Sequence, residues 1–130
     1  MQINEYQQLA LRTESYSEHN DAMCIVALKV SDENAGLLYA NRLLQGVLGL
    51  SGESGECTDI LKKALFQGHI LDKRHFALEL GDVAWYLALC ADAIGYDLET
   101  IFQMNIEKLK NRYPDGFDSE LSQHRKENDI

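Results

Sequence analysis

Helical periodicity dominates this chain, and it is broken twice in the same way: Gly68 is followed by Asp72, and Gly95 by Asp97. A glycine just past a helix accepts the left-handed backbone that closes it, and an aspartate soon after can cap the next helix. These two breaks divide the sequence into helical stretches of about Ala35 to Phe66, Lys73 to Ile94 and Leu98 to Arg112. Asn34 can cap the first of them. The last stops before Pro114, the chain's single proline, because the residue preceding proline is biased out of the helical region. A shorter amphipathic helix, Ile3 to Arg12, opens the chain with Ile3, Tyr6, Gln7 and Ala10 along one side. Residues 13 to 34 leave their state open, since the apolar patch MCIVALKV suits helix, strand or packed loop. Strand signals are otherwise nearly absent. The expected fold is all-α, a four-helix, mostly antiparallel bundle.

A chain of 130 residues suits a single domain that buries roughly two-thirds of its unfolded surface. The expected domain covers residues 1–117, with its core at 35–117, and residues 118–130 form a charged C-terminal tail. The longest apolar run, Val83 to Ala91, is far short of the ~20 residues of a membrane span. No basic start leads into an apolar stretch, so a cytoplasmic location is expected. Cys24, Cys57 and Cys90 form no CxxC and are odd in number, which reads as free thiols. A net charge of −9 argues against binding a nucleic acid polymer or an anionic membrane. It leaves room for a small anionic ligand if a cation stands between the two negatives.

The charges of interest sit inside the helical pattern. ELGDVAWYLALCADAIG, residues 79–95, begins with Glu79 and Asp82, three residues apart at the edge of an apolar run. An ExxD on a helix is usually part of a solvated face. Here the same face continues with Trp85, Tyr86, Leu89, Cys90 and Ala93, so the acids are expected to face inward or into a cleft. The preceding helix carries a second pair at that spacing, Glu53 and Glu56, in the glycine-studded segment QGVLGLSGESGE. Each glycine costs about 1 kcal/mol relative to alanine inside a helix, so the helix bends there or something approaches its backbone closely. Two antiparallel helices joined by the GHILD turn would set the pairs opposite each other at similar height. Four acids in one cleft repel, and a hard divalent cation relieves them; all-oxygen ligands suit Mg²⁺ or Mn²⁺. A di-iron bundle would need Glu-x-x-His, but His75 precedes Glu79 by four and His69 follows no Glu at three.

Asn105, Lys108 and Arg112 share a face of the last helix, and Lys63 follows Glu56 by seven residues on nearly the same face. Read alone, these are solvated polar faces. Beside a carboxylate-bound cation they offer the amide, ammonium and guanidinium that a polyphosphate needs.

GLSGESGECTDILKKALFQGH, then ELGDVAWYLA, then NIEKLKNRYPDGF resembles the MazG-like all-α nucleotide pyrophosphohydrolases, over roughly residues 35–117. That family is marked by ExxE and, after a spacer, ExxD, here Glu53/Glu56 and Glu79/Asp82. Members often carry a further glutamate before the first motif residue, where this chain has Gly52. The resemblance implies Mg²⁺-dependent cleavage of a nucleoside triphosphate between its α and β phosphates, giving the monophosphate and pyrophosphate in nucleotide-pool house-cleaning. It implies metal ligation by Glu53, Glu56, Glu79 and Asp82, with Glu53, Glu56 or a carboxylate-held water as general base. Lys63, Asn105, Lys108 and Arg112 would contact the substrate. It also implies a homodimer or homotetramer with composite sites. Phosphoribosyl-ATP and dUTP/dCTP pyrophosphatases are relatives that compete on substrate. A helical interaction module holding a structural cation without turnover is the reading from another class.

Overall fold

The computed structural model describes residues 1–14, 27–29 and 37–124. Among them the order is α1 (Ile3–Leu11), β1 (Ala27–Lys29), β2 (Leu37–Tyr39), α2 (Ala40–Phe66), α3 (Lys73–Ala93), α4 (Leu98–Arg112) and α5 (Ser119–Gln123). The architecture is all-α apart from one small two-stranded sheet, in which β1 and β2 pair antiparallel with Leu28 opposite Leu38. That strand pair corrects one expectation. Residues 37–39 are strand, so the long helix starts at Ala40 and not near Ala35. Asn34, expected to cap it, lies outside the described residues.

The remaining helix ends follow from their capping chemistry. Gly68 and Gly95 have φ of +71° and +80°, the left-handed region that a side chain disfavours. The Asp72 carboxylate accepts the backbone N–H groups of Arg74 and His75, and that of Asp97 accepts from Thr100. Each satisfies donors that the first turn of a helix leaves open. Beyond Phe117, Asp118 caps the short α5 by accepting from Glu120 and Leu121.

The main seam lies between α2 and α3. A Cβ at Gly46 would stand 2.7 Å from the Cys90 sulfur, and one at Gly49 only 2.0 Å from the Tyr86 ring. Each step of three or four forward along α2 is matched by four back along α3, so the two helices run antiparallel. Continued by one turn, the same register brings Glu53 to the level of Asp82. Gly52 and Gly55 meet nothing within 4 Å, so close approach explains the first two glycines and not the last two.

The helix α1 and the start of α4 pack on the far half of α3. Ala88, Ala91 and Leu98 form the buried cluster, with Tyr6, Leu87 and Ile101 against it. Gln7 joins three elements: its amide donates to the Ala88 and Tyr96 carbonyls and its oxygen accepts the Leu98 N–H. A clasp ties the start of α2 to the end of α3 and to the segment just after α1. The Arg42 guanidinium binds Glu14 through Nε and Nη2, at 2.6 and 2.7 Å, and Asp92 through Nη1. The first half of α3 is less covered than its apolar pattern implies. Leu80 is 51% exposed, and Leu78 is also open.

The two kinds of glycine should respond oppositely to alanine. Gly49→Ala is expected to destabilise the protein by roughly 1–3 kcal/mol through overpacking against Tyr86. Gly55→Ala should stabilise it by about 0.5–1 kcal/mol through reduced backbone entropy. Urea denaturation of both variants measures the difference.

A candidate metal centre between the two long helices

The seam register decides which acids meet. Glu53 on α2 and Glu79 and Asp82 on α3 each place a carboxylate oxygen within 4.8 Å of the others. Glu53 and Glu79 are half-buried and Asp82 is exposed, so the group sits at the lip of a cleft and not inside the core. Glu56, the fourth expected ligand, is exposed and lies outside this trio, one turn further along α2. Its charge still reaches Glu53.

The electrostatics follow from that crowding. Loss of hydration, then the negative charges of Asp82, Glu79 and Glu56, push the Glu53 carboxyl above the usual glutamate range. Burial and the charge of Asp82 raise the Tyr6 hydroxyl in the same sense. That hydroxyl donates to the Gly81 carbonyl at 3.4 Å, beside Asp82. The described partner of Glu79 is His75, whose Nε2 lies 2.9 Å from Oε1 one turn earlier on α3. Three carboxylates from two helices, met by one imidazole, make an oxygen donor set that fits a hard divalent cation.

The expected substrate-binding residues fall in different places. Lys63 is paired with Asp59, four residues back on α2, and Lys62 pairs with the same carboxylate. The two ammonium groups hold Asp59 down at about 2, while Asp59, and more weakly Glu56, raise Lys63. Asn105 and Lys108 are exposed on α4, whose packed neighbours are α1 and α3. No described hydrogen bond or ion pair joins either residue to the carboxylates. Arg112 is half-buried at the end of the same helix.

Sequence reasoning weighs Trp85 as a core residue ahead of a stacking platform, and it does not reach Thr13. A pocket of about 430 Å³ is lined by Thr13, Glu53, Asp82, Trp85 and Tyr86. The Trp85 indole N–H is shared between the Ala10 carbonyl and the Thr13 hydroxyl, both at 2.9 Å. Trp85 lies one turn after Asp82, which was a usable signal. Thr13 carried none, because nothing in its local sequence reveals what α1 packs against.

The crowding has a measurable cost in metal-free protein. Glu53 keeps its proton in the folded state at pH values where the unfolded chain has released it, so stability falls as pH rises through and above the ordinary glutamate range. In the presence of chelator, Asp82→Asn is therefore expected to raise the melting temperature at neutral pH. It should also shrink the drop between mildly acidic and neutral conditions. A lower melting temperature at neutral pH would mean that other contacts already compensate these acids.

No solved structure matches the chain significantly. A curated relative, the Gene 37 protein of Mycobacterium phage L5, is 33% identical over 120 residues, spanning 89% of this chain and 92% of that protein. The profile of the MazG nucleotide pyrophosphohydrolase domain matches residues 43–117, a span that holds most of α2, the whole of α3, all four motif acids and α4. On that match, which covers more than half of its length, the chain belongs to the MazG nucleotide pyrophosphohydrolase family.

Proposed function

We propose that the protein is a Mg²⁺-dependent hydrolase that cleaves a nucleoside or deoxynucleoside triphosphate between the α and β phosphates, releasing the monophosphate and pyrophosphate. One observation carries this reading beyond family membership: the Glu53, Glu79 and Asp82 oxygens converge from two helices within 4.8 Å. Family and donor set both fit a hard cation, which when bound would neutralise phosphate charge and hold attacking and leaving oxygens in line.

The chain's own groups divide the rest of the work. Glu53, Glu79 and Asp82 hold the cation, with Glu56 available from the exposed turn beyond. Glu53 is also a candidate general base, standing across the seam from the acids of α3. Glu56 is the second candidate, and it retains access to water. Lys108 and Arg112 supply charge to the phosphates from α4, with Asn105 positioning a ligand or a water. Lys63 would do the same from α2, exchanging Asp59 for a phosphate oxygen. We assign the activity to nucleotide-pool house-cleaning in the cytoplasm.

The same reading makes the protein a homodimer or homotetramer. Leu44, Val47, Leu48, Leu61 and Leu65 are exposed on the side of α2 away from α3, and Phe66 is 80% exposed. A helix with one apolar face packed and another open to water has area left to bury, and a second copy is the simplest cover.

The test is a panel of nucleoside and deoxynucleoside triphosphates incubated with Mg²⁺, with pyrophosphate and phosphate read separately. Pyrophosphate is expected, and Glu53→Gln, Glu79→Gln or Asp82→Asn should each reduce its release by about 100-fold or more while the helical signal persists. Release of phosphate alone would move the cleavage site. No turnover, together with a melting temperature that chelator lowers, would favour a structural cation. Light scattering should give a mass of two or four chains, and Leu48→Glu should reduce it.

A further inference from the structure

Of the acids at the seam, Glu79 has a described partner of its own. The His75 ring stands one turn earlier on α3, with Nε2 2.9 Å from the Glu79 Oε1. The four-residue spacing that rules out a Glu-x-x-His ligand pair is the spacing that stacks these two side chains on one helix face. Most such pairs are surface ion pairs that contribute little. Two features set this one apart. The acid is the covered member, its side chain 17% exposed against 56% for the imidazole, so the ring reaches inward from solvent to a half-buried oxygen. That same acid is one of the three whose oxygens converge across the α2–α3 seam.

The backbone that carries the ring is fixed as well. His75 lies in the first turn of α3, where its N–H donates to the Asp72 carboxylate at 3.1 Å. A chain of contacts thus runs from the helix cap through the imidazole to a metal-site acid. An Nε2–H donor is available in the neutral ring as one tautomer and in the charged ring always, so the contact does not depend on the ring's titration. A glutamate has several rotatable bonds between backbone and carboxylate, and ordering them costs entropy when a ligand binds. Resting on the reading of Glu53, Glu79 and Asp82 as a metal centre, we propose that His75 is a positioning residue for that centre. It holds Glu79 by Oε1 and leaves Oε2 for the cation, without binding the cation itself. Removing a hydrogen-bonding partner of a ligating group typically weakens metal affinity by about 10- to 100-fold.

The experiment titrates the full chain with Mn²⁺, followed by electron paramagnetic resonance, and compares the unaltered protein with His75→Ala and His75→Gln. The glutamine amide keeps an N–H donor near the position of Nε2. The Mn²⁺ dissociation constant should rise by about 10-fold in His75→Ala, and His75→Gln should recover most of the affinity. In the presence of chelator both variants should melt with the unaltered protein, because a pair at this spacing adds little to the fold. Equal affinity in His75→Ala and the unaltered protein would overturn the assignment. So would a loss that glutamine does not repair, or one matched by a lower melting temperature in chelator, which would make the role of His75 structural. Nitrogen modulation of the Mn²⁺ spin echo that disappears in His75→Ala would make the imidazole a ligand, and would overturn it too. If the unaltered protein binds no Mn²⁺, the metal reading itself falls and takes this one with it.

Discussion

The close approach of α2 and α3 at Gly46 and Gly49 is the contact on which the rest of the molecule depends. With no Cβ on those residues, Cys90 and Tyr86 sit directly on the α2 backbone, and the two helices lock in one antiparallel register. One turn further along, that register carries Glu53 to Glu79 and Asp82. A side chain at position 49 would push the helices apart at the point where their spacing matters most. The glycines that weaken α2 as a helix are thus the ones that make it a platform.

That platform holds charge at a cost to the fold. Loss of hydration, and then the neighbouring charges of Asp82, Glu79 and Glu56, hold Glu53 above its ordinary range. Natural proteins keep such arrangements where function requires them and draw the stability from elsewhere. Here it is drawn from a small core around Ala88, Ala91 and Leu98, from the Gln7 bridges and from the Arg42 clasp. All three lie toward the opposite end of α3 from Glu79. The half of the molecule nearer the GHILD turn has little cover of its own. The proposed association between copies would bury the apolar side of α2.

Much of this was legible in the sequence, and the exceptions have local causes. Helix ends at Asp72, Gly95 and Asp97 could be read because each is set by a single residue's backbone or side chain. The carboxylate pairs could be read because i,i+3 spacing fixes a shared face whatever surrounds it. The strand at 37–39 could not, since LLY continues the apolar pattern of the helix and only pairing with residues 27–29 distinguishes it. Leu80 reads as core by periodicity yet is half open, because periodicity marks a face without saying whether anything lies against it. Lys63 shows the reverse. Its i,i+4 partner Asp59 was visible in the chain, and a nearby opposite charge claims a lysine before a more distant ligand can. Thr13 depends wholly on tertiary contact.

Glu53, Glu79 and Asp82 are proposed to form one metal centre across the α2–α3 seam. Electron paramagnetic resonance of added Mn²⁺ tests it most directly, because free and bound ions are counted separately and no turnover is needed. Saturable Mn²⁺ binding to the protein is expected, competed by Mg²⁺ and lost in both Glu53→Gln and Asp82→Asn, one variant from each helix. Binding that survives both substitutions, or no binding in the unaltered protein, would contradict it.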